Sequence, residues 1–591
     1  MQRDAANATS GVNASSLVEK TEGGDVLAAV AALVIYGLCV LPLLTAIAFH
    51  ITDHLIAVRN TDPRLWIWFY RWWPYALLHG LNPLHPHVVW APTGVNLTWA
   101  TSTPTIALAL APITLLWGPF VTYNIAAIAG PLLAAWCAYL LCRETTGQFW
   151  PSLIGGWIFG FSPFEMAQLT SWPNLYTTWP IPALVLVALW RARGRLSTNR
   201  FVLIAAMLLA VLFGISVEVF ASTVIFSVLT LLVATWAVHL DRRVSIIRLM
   251  KESLAAIALC GLVVAPYLWL MLKDPARPQI SLFSPHFSAT DMANLILPTP
   301  ITWFGGLRFE TISEWFAGFL WQQGAYFGLP LLIMIGLYWR EFRTTAAGKI
   351  ILFGGGVALL FSMGPYLQLF NKSLLIPMPW ALWSHLPLLN NIVPERLIVY
   401  SFLAVAVMTA RWLSFSKLRQ SARLGLAGLA VLFLVPNYAG GYWATKPENP
   451  PFFSHSIYKH YLQRGENVIV LPYNLYGHAT FWQGETNFYF NLAGGWLGQA
   501  LGVHPYVDMT VPTDFRRKWG DPNYPEQLVA FIRRHNIEAL IVDQKKAPEC
   551  AALLKPIHIQ STSLGGILLY RFDPKRLIVK DHAIELLSGG K

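Results

Sequence analysis

Residues 51–100 read ITDHLIAVRNTDPRLWIWFYRWWPYALLHGLNPLHPHVVWAPTGVNLTWA. The stretch follows a first apolar run, Val26 to Phe49, and is neither apolar enough to cross a bilayer nor polar enough to be a simple linker. Acidic residues come first (Asp53, Asp62), then a Trp/Arg-rich amphipathic segment, then a loop of Pro, His, Asn and Gly. A long insert of this kind between spans belongs at a membrane surface, and its acids point to chemistry there.

The chain around it is built of spans. Of 591 residues, 55% are hydrophobic and only 12% charged, with a mean hydropathy of +0.49. Soluble domains carry about 25% charge, so the composition predicts a polytopic membrane protein. Apolar windows of about 20 residues fall near 26–49, 121–141, 149–163, 174–190, 201–216, 220–239, 253–272, 326–340, 349–364, 397–413 and 423–441. The run from Pro104 to Trp117 is short, and Pro112 and Gly118-Pro119 interrupt it. If it does not cross, the loops carrying Arg191, Arg193, Arg242, Arg243, Arg340, Arg343, Lys417 and Arg419 all fall on one side. The positive-inside rule then makes 104–117 a half-helix or an interfacial helix within the first outer loop. This predicts about eleven spans, a cytoplasmic polar N-terminus (1–25), and a transmembrane domain over 26–446 whose first outer loop is 50–119.

The net charge of +12 does not point to nucleic acid, because the basic residues lie between apolar runs. None of the five cysteines is spaced for a metal site or a disulfide framework. From residue 447 the character changes. ENVIVLPY, IEALIVD and GGILLYRF read as strands and YPEQLVAFIRRHN as a helix, predicting a small α/β domain over 447–591 outside the membrane. The fold class expected is mainly α, a transmembrane helical bundle with a C-terminal extracytoplasmic α/β domain.

Candidate chemistry concentrates in the outer loops. A carboxylate at Asp62, or at Asp53, can take a proton from an acceptor hydroxyl or amine; equally, Asp62 before Pro63 suits the start of a helix. The segment with Trp66, Trp68, Trp72, Trp73, Arg64 and Arg71 is expected in the headgroup plane, anchoring the loop. His85 and His87 form a His-x-His pair without a nearby third ligand, followed by Asn96, and no metal is expected there. Glu165 and Asn174 lie in the second outer loop, Glu218 in an apolar stretch, and Asp291 where it can cap a short helix. Arg396 can clamp a phosphate through paired hydrogen bonds, or pair with Glu395.

These features resemble the GT-C superfamily of integral-membrane glycosyltransferases, most of all its protein O-mannosyltransferase and aminoarabinose-transferase branch and bacterial relatives. The likeness is carried by TDPRLWIWFYRWW after the first span, the short apolar segment ending LLWGP, the order YLLCRETTGQFWPSLIGGWIFGFSPFEMAQL, and the tail domain. It implies transfer of a sugar from a polyprenyl-phosphate donor to an extracytoplasmic lipid, glycan or protein, in a bacterial inner membrane. Asp62 matches the family's first-loop acid, with Asp53 in reserve. Arg396, Arg64, Arg71, Glu165, His85, His87 and Asn96 are the expected substrate-binding residues. Pro63 stands where many members carry a second acid. The expected partners are membrane lipid and the lipid-linked sugar, with no cofactor certain and a divalent metal left open. The rival reading is a lipid or solute transporter or flippase without chemistry.

Overall fold

The computed structural model describes residues 11–58, 62–274, 288–386, 389–472, 477–498 and 523–586. Helix α1 (Gly11–Ile47) leads into the first long loop, which contains α2 (Asp62–Leu78), α3 (Pro104–Ala109) and α4 (Ala111–Trp117). At about 1.5 Å per residue, neither α3 nor α4 is long enough to cross a bilayer. Leu110 ends the first and Pro112 opens the second, which breaks the run expected as a single helix.

Next come α5 (Pro119–Thr146), α6 (Phe149–Gly160), α7 (Pro163–Leu169), α8 (Pro173–Tyr176), α9 (Pro180–Ala192), α10 (Thr198–Ile215), α11 (Val217–Ala237) and α12 (Leu240–Lys273). Further helices follow at Gly328–Phe342, Ala346–Ser362, Ile398–Phe415 and Gln420–Leu434. Among the described residues, six helices are long and apolar enough to span: Gly24–Ile47, Pro119–Thr146, Thr198–Ile215, Val217–Ala237, Arg243–Lys273 and Pro394–Phe415. This makes the chain a multi-pass membrane protein. The window at 174–190 is not one helix, because α8 ends at Tyr176 and α9 begins at Pro180.

Small residues set how tightly the bundle closes, since glycine and alanine let helix backbones approach. A Cβ at Gly155 of α6 would stand 2.8 Å from both Ala406 O and Cys142 Sγ. That position locks α6 between α5 and the helix Ile398–Phe415. By contrast, only 17% of the Arg243–Lys273 span is buried inside the protein, leaving it a lipid-facing rib.

After the antiparallel pair β1 (Tyr366–Leu369) and β2 (Lys372–Pro377), the C-terminal region carries a five-stranded sheet of order β4-β3-β5-β7-β6, built from β3 (Asn467–Leu471), β4 (Asn491–Leu492), β5 (Ile537–Asp543), β6 (Ser561–Leu564) and β7 (Ile567–Arg571). β3 runs parallel to β4 and β5, and β7 antiparallel to β5 and β6. The helix Tyr524–Arg534 presents Leu528, Val529, Phe531 and Ile532 to the core. The strand and helix readings of ENVIVLPY, YPEQLVAFIRRHN, IEALIVD and GGILLYRF thus correspond to β3, this helix, β5 and β7.

One expectation is overturned. The aromatic residues of α2 are not left for lipid headgroups to cover; Trp66, Trp68, Phe69, Tyr70, Trp72 and Trp73 are all buried in protein. They share a hydrophobic core with Phe453, Trp482, Phe488 and the strands of the C-terminal sheet. Trp68 Nε1 donates to Gln483 Oε1 at 2.9 Å, and Trp68 and Trp72 both meet Phe488 edge-on. An amphipathic aromatic segment satisfies a protein partner as well as a membrane surface, and here the partner lies far along the chain.

Candidate functional site

Helix α2 begins at Asp62 itself, with Pro63 next, so the helix-start reading of this pair holds. The carboxylate also does something else. Its Oδ2 accepts a hydrogen bond from Trp172 Nε1 at 2.9 Å. Trp172 precedes α8, and its loop is sewn to the first long loop along its length. Val58 N donates to Thr170 O at 2.9 Å, and Trp66 Nε1 to Ser171 O at 2.8 Å. Two segments about 110 residues apart in sequence are thereby held in register beneath the acid.

A cation completes the group. The Arg396 guanidinium lies 5.8 Å from the centre of the Trp172 ring. It pairs with Glu218 at the start of α11, not with its sequence neighbour Glu395. Glu218 also accepts the Val393 amide at 2.9 Å, which ties the segment before the Pro394–Phe415 span to α11. Glu395 turns inward instead, and its Oε1 accepts the Gly324 amide at 3.3 Å. The expected Arg396–Glu395 alternative therefore gives way to a longer-range pair: adjacent side chains at a 3₁₀ turn diverge, so each finds a separate partner.

Opposing effects act on the Asp62 carboxyl. Burial pushes its carboxyl above the ordinary carboxylate range; the Trp172 hydrogen bond and the charges of Arg396 and Arg64 work downward without cancelling the shift. Asp53 is placed differently. Burial acts upward on it too, but Lys446 and His54 outweigh that effect and hold its carboxyl low. Its oxygens are engaged by Lys446 Nζ at 2.7 Å and His54 Nδ1 at 2.8 Å.

The other expected residues do not all converge. Arg64 adds to the field at Asp62. Arg71 lies two further turns along α2, and its charge is balanced by Glu485 in the C-terminal region. Glu165, at the start of α7, is fully buried and takes a hydrogen bond from Thr178, while its Oε2 has no hydrogen-bond partner. Burial pushes its carboxyl well upward, against the lowering effect of the Thr178 hydrogen bond. Asn96 is committed elsewhere, accepting from Thr98 N and Thr98 Oγ1 of its own loop and donating to Leu270 O of α12.

The rings of His85 and His87 pack at 4.9 Å, and His87 Nδ1 lies 3.2 Å from Pro92 O. Their loop returns to α2 at Trp72, whose Nε1 donates to Pro83 O at 2.8 Å. That contact is ten residues, about 15 Å of helix, from Asp62. Sequence reasoning missed Trp172, whose indole donates to the acid. Its only advance signal was an indole beside Pro173 in the loop already carrying Glu165 and Asn174.

No family model matches the chain, and no curated protein matches it. Solved structures do. Arabinofuranosyltransferase AftD from Mycobacteria aligns over 91% of this chain and 41% of its own, at 15% identity and a TM-score of 0.51. The oligosaccharyltransferase AglB of Archaeoglobus fulgidus, solved with an inhibitory peptide and a dolichol-phosphate, aligns over 89% of this chain and 71% of its own, at 12% identity and a TM-score of 0.45. ArnT of Cupriavidus metallidurans, solved bound to undecaprenyl phosphate, aligns over 93% and 98%, at 10% identity and a TM-score of 0.43. These neighbours are GT-C glycosyltransferases, and the likeness to AftD is one of fold.

Proposed function

We propose that a chain with this fold and this acid–indole–guanidinium group is a membrane glycosyltransferase that draws its sugar from a polyprenyl-phosphate donor. The observation that carries the reading is the placement of Asp62. It is a half-buried carboxylate of raised proton affinity, fixed by Trp172 and facing the charge of Arg396. In the reaction, an acceptor hydroxyl or amine attacks the anomeric carbon. The bond from that carbon to the phosphate oxygen breaks, and its electron pair leaves with the lipid phosphate. Asp62 takes the acceptor proton, and the configuration at the anomeric carbon inverts. Arg396, oriented through Glu218, stabilises the charge that grows on the departing phosphate; its planar fork suits phosphate oxygens.

In this reading about eleven helices cross the membrane, with the Asp62 group and the 447–591 domain on the extracytoplasmic face of a bacterial inner membrane. The acceptor is a lipid, glycan or protein reaching that face. Asp53 is not needed as a reserve base, because Lys446 and His54 already hold its charge.

The test is transfer of radiolabelled sugar from polyprenyl-phosphate hexoses and pentoses to a membrane extract by the purified protein. Wild type is expected to transfer label, and Asp62→Asn to lose that activity by about a hundredfold or more, the scale of a positioned general base. Undiminished transfer by Asp62→Asn sinks the assignment of the base. Movement of intact labelled lipid across vesicles without transfer to any acceptor replaces it with transport.

A further inference from the structure

A second group of side chains sits where the first span ends. The amides of Asp53 and His54 both donate to His50 O, at 3.1 and 2.8 Å. This single helical turn brings positions i, i+3 and i+4 to one side. Asp53 Oδ1 lies 2.8 Å from His54 Nδ1 and 3.5 Å from His50 Nδ1, and the two imidazoles are 4.5 Å apart centre to centre. One ligand atom from each of the three lies within 4.8 Å of the others; no other grouping of His, Cys, Asp and Glu among the described residues does so. Lys446 takes the other carboxylate oxygen, Oδ2, at 2.7 Å, so Asp53 presents Oδ1 to the imidazoles.

We propose that His50, Asp53 and His54 form a binding site for a divalent transition-metal cation, with Zn²⁺ best suited to the donor set. Imidazole nitrogen and carboxylate oxygen bind such an ion at about 2.0–2.2 Å, which places tetrahedral ligand atoms roughly 3.3–3.6 Å from one another. The observed separations reach that arrangement through small side-chain adjustments. Two imidazoles disfavour Mg²⁺ and Ca²⁺, which take oxygen ligands. Three protein ligands leave a fourth position for water, and the cluster is open enough for an ion to enter, with His50 59% exposed and His54 22%.

The site would act on architecture. Leu55 and Thr445 exchange backbone hydrogen bonds at 2.9 and 3.0 Å, beside Asp53 on one strand of chain and Lys446 on the other. An ion held here fastens the start of the first long loop, next to the segment that leads into the C-terminal sheet. The Lys446 charge opposes the ion and limits its affinity.

The experiment uses the full chain purified in detergent and stripped with chelator. Zn²⁺ and, separately, Mg²⁺ are titrated by calorimetry, and the thermal midpoint is followed with and without Zn²⁺. Wild type is expected to bind a single Zn²⁺ and to melt higher with it, with no saturable Mg²⁺ heat. His50→Ala and His54→Ala should weaken Zn²⁺ binding by about tenfold or more, as loss of one of three ligands requires. His85→Ala should leave it unchanged, and Lys446→Ala should tighten it. His54→Gln, which keeps a polar side chain, guards against misfolding: it should melt like wild type in chelator yet gain nothing from Zn²⁺. No saturable Zn²⁺ binding by wild type, equal binding by the histidine variants, or equal preference for Mg²⁺ overturns the proposal.

Discussion

Replacing Trp172 by Phe keeps an aromatic ring beneath Arg396 but removes the N–H that Asp62 Oδ2 accepts at 2.9 Å. A hydrogen bond to a charged group contributes about 1.5–3 kcal/mol, and it favours the ionised carboxylate over the acid. Its loss therefore raises the proton affinity of Asp62 further, in the direction burial already pushes it. At about 1.4 kcal/mol per factor of ten, the proton dissociation constant falls by roughly tenfold to a hundredfold. A general base works only when deprotonated, so the acid limb of kcat/KM against pH should move to higher pH by about one to two pH units. At pH values above both limbs, activity should recover toward wild type. The assay is sugar transfer across a pH series, with Asp62→Asn as the inactive reference. An acid limb that stays in place, moves to lower pH, or is replaced by a uniform loss at every pH refutes the idea that Trp172 tunes Asp62.

Three further outcomes are expected. Glu218→Gln removes the charge that orients Arg396; breaking a largely buried pair is costly, and transfer should fall about tenfold or more while Glu218→Asp retains part of it. Gln483→Leu removes one bond from Trp68 Nε1 and two to Val88 O and Phe490 O, at 2.9, 2.6 and 3.0 Å. At about 1 kcal/mol each the loss is near 3 kcal/mol, read as a lower thermal midpoint and faster proteolysis of the C-terminal region; an unchanged midpoint contradicts the shared core. Gly155→Ala forces a methyl against Ala406 O and Cys142 Sγ and should cost about 1–3 kcal/mol by overpacking, checked by detergent melts, whereas Gly336→Ala, with open space around it, should be neutral.

How far the sequence reveals this molecule depends on the range of each interaction. Span positions are local properties of composition, and six of the predicted windows hold helices long and apolar enough to cross, whereas α6 and α9 are only 12 and 13 residues long. The strands of the tail are equally local, since alternation over five to seven residues states which face is buried. Asp62 stood out as a carboxylate a short way past the first span, while the Pro63 that follows it pointed to a helix start, which the structure has. Trp172 and the Glu218–Arg396 pair were not, because each contact joins segments more than 100 residues apart. The aromatic face of α2 was misplaced for the same reason: hydrophobic periodicity says that a face is covered but not by what.

Trp68 and Gln483 are 415 residues apart. At a synthesis rate of about 5–20 residues per second, roughly 20 to 80 seconds separate the emergence of the indole from that of its partner. Throughout that interval the helix that starts with Asp62 has six bulky aromatic side chains without their final cover. The helix that carries the proposed base is thus covered late, by residues from the C-terminal region, although it is among the first parts made. Termination between the helix Gln420–Leu434 and the C-terminal sheet would leave the membrane helices made and the aromatic face of α2 uncovered.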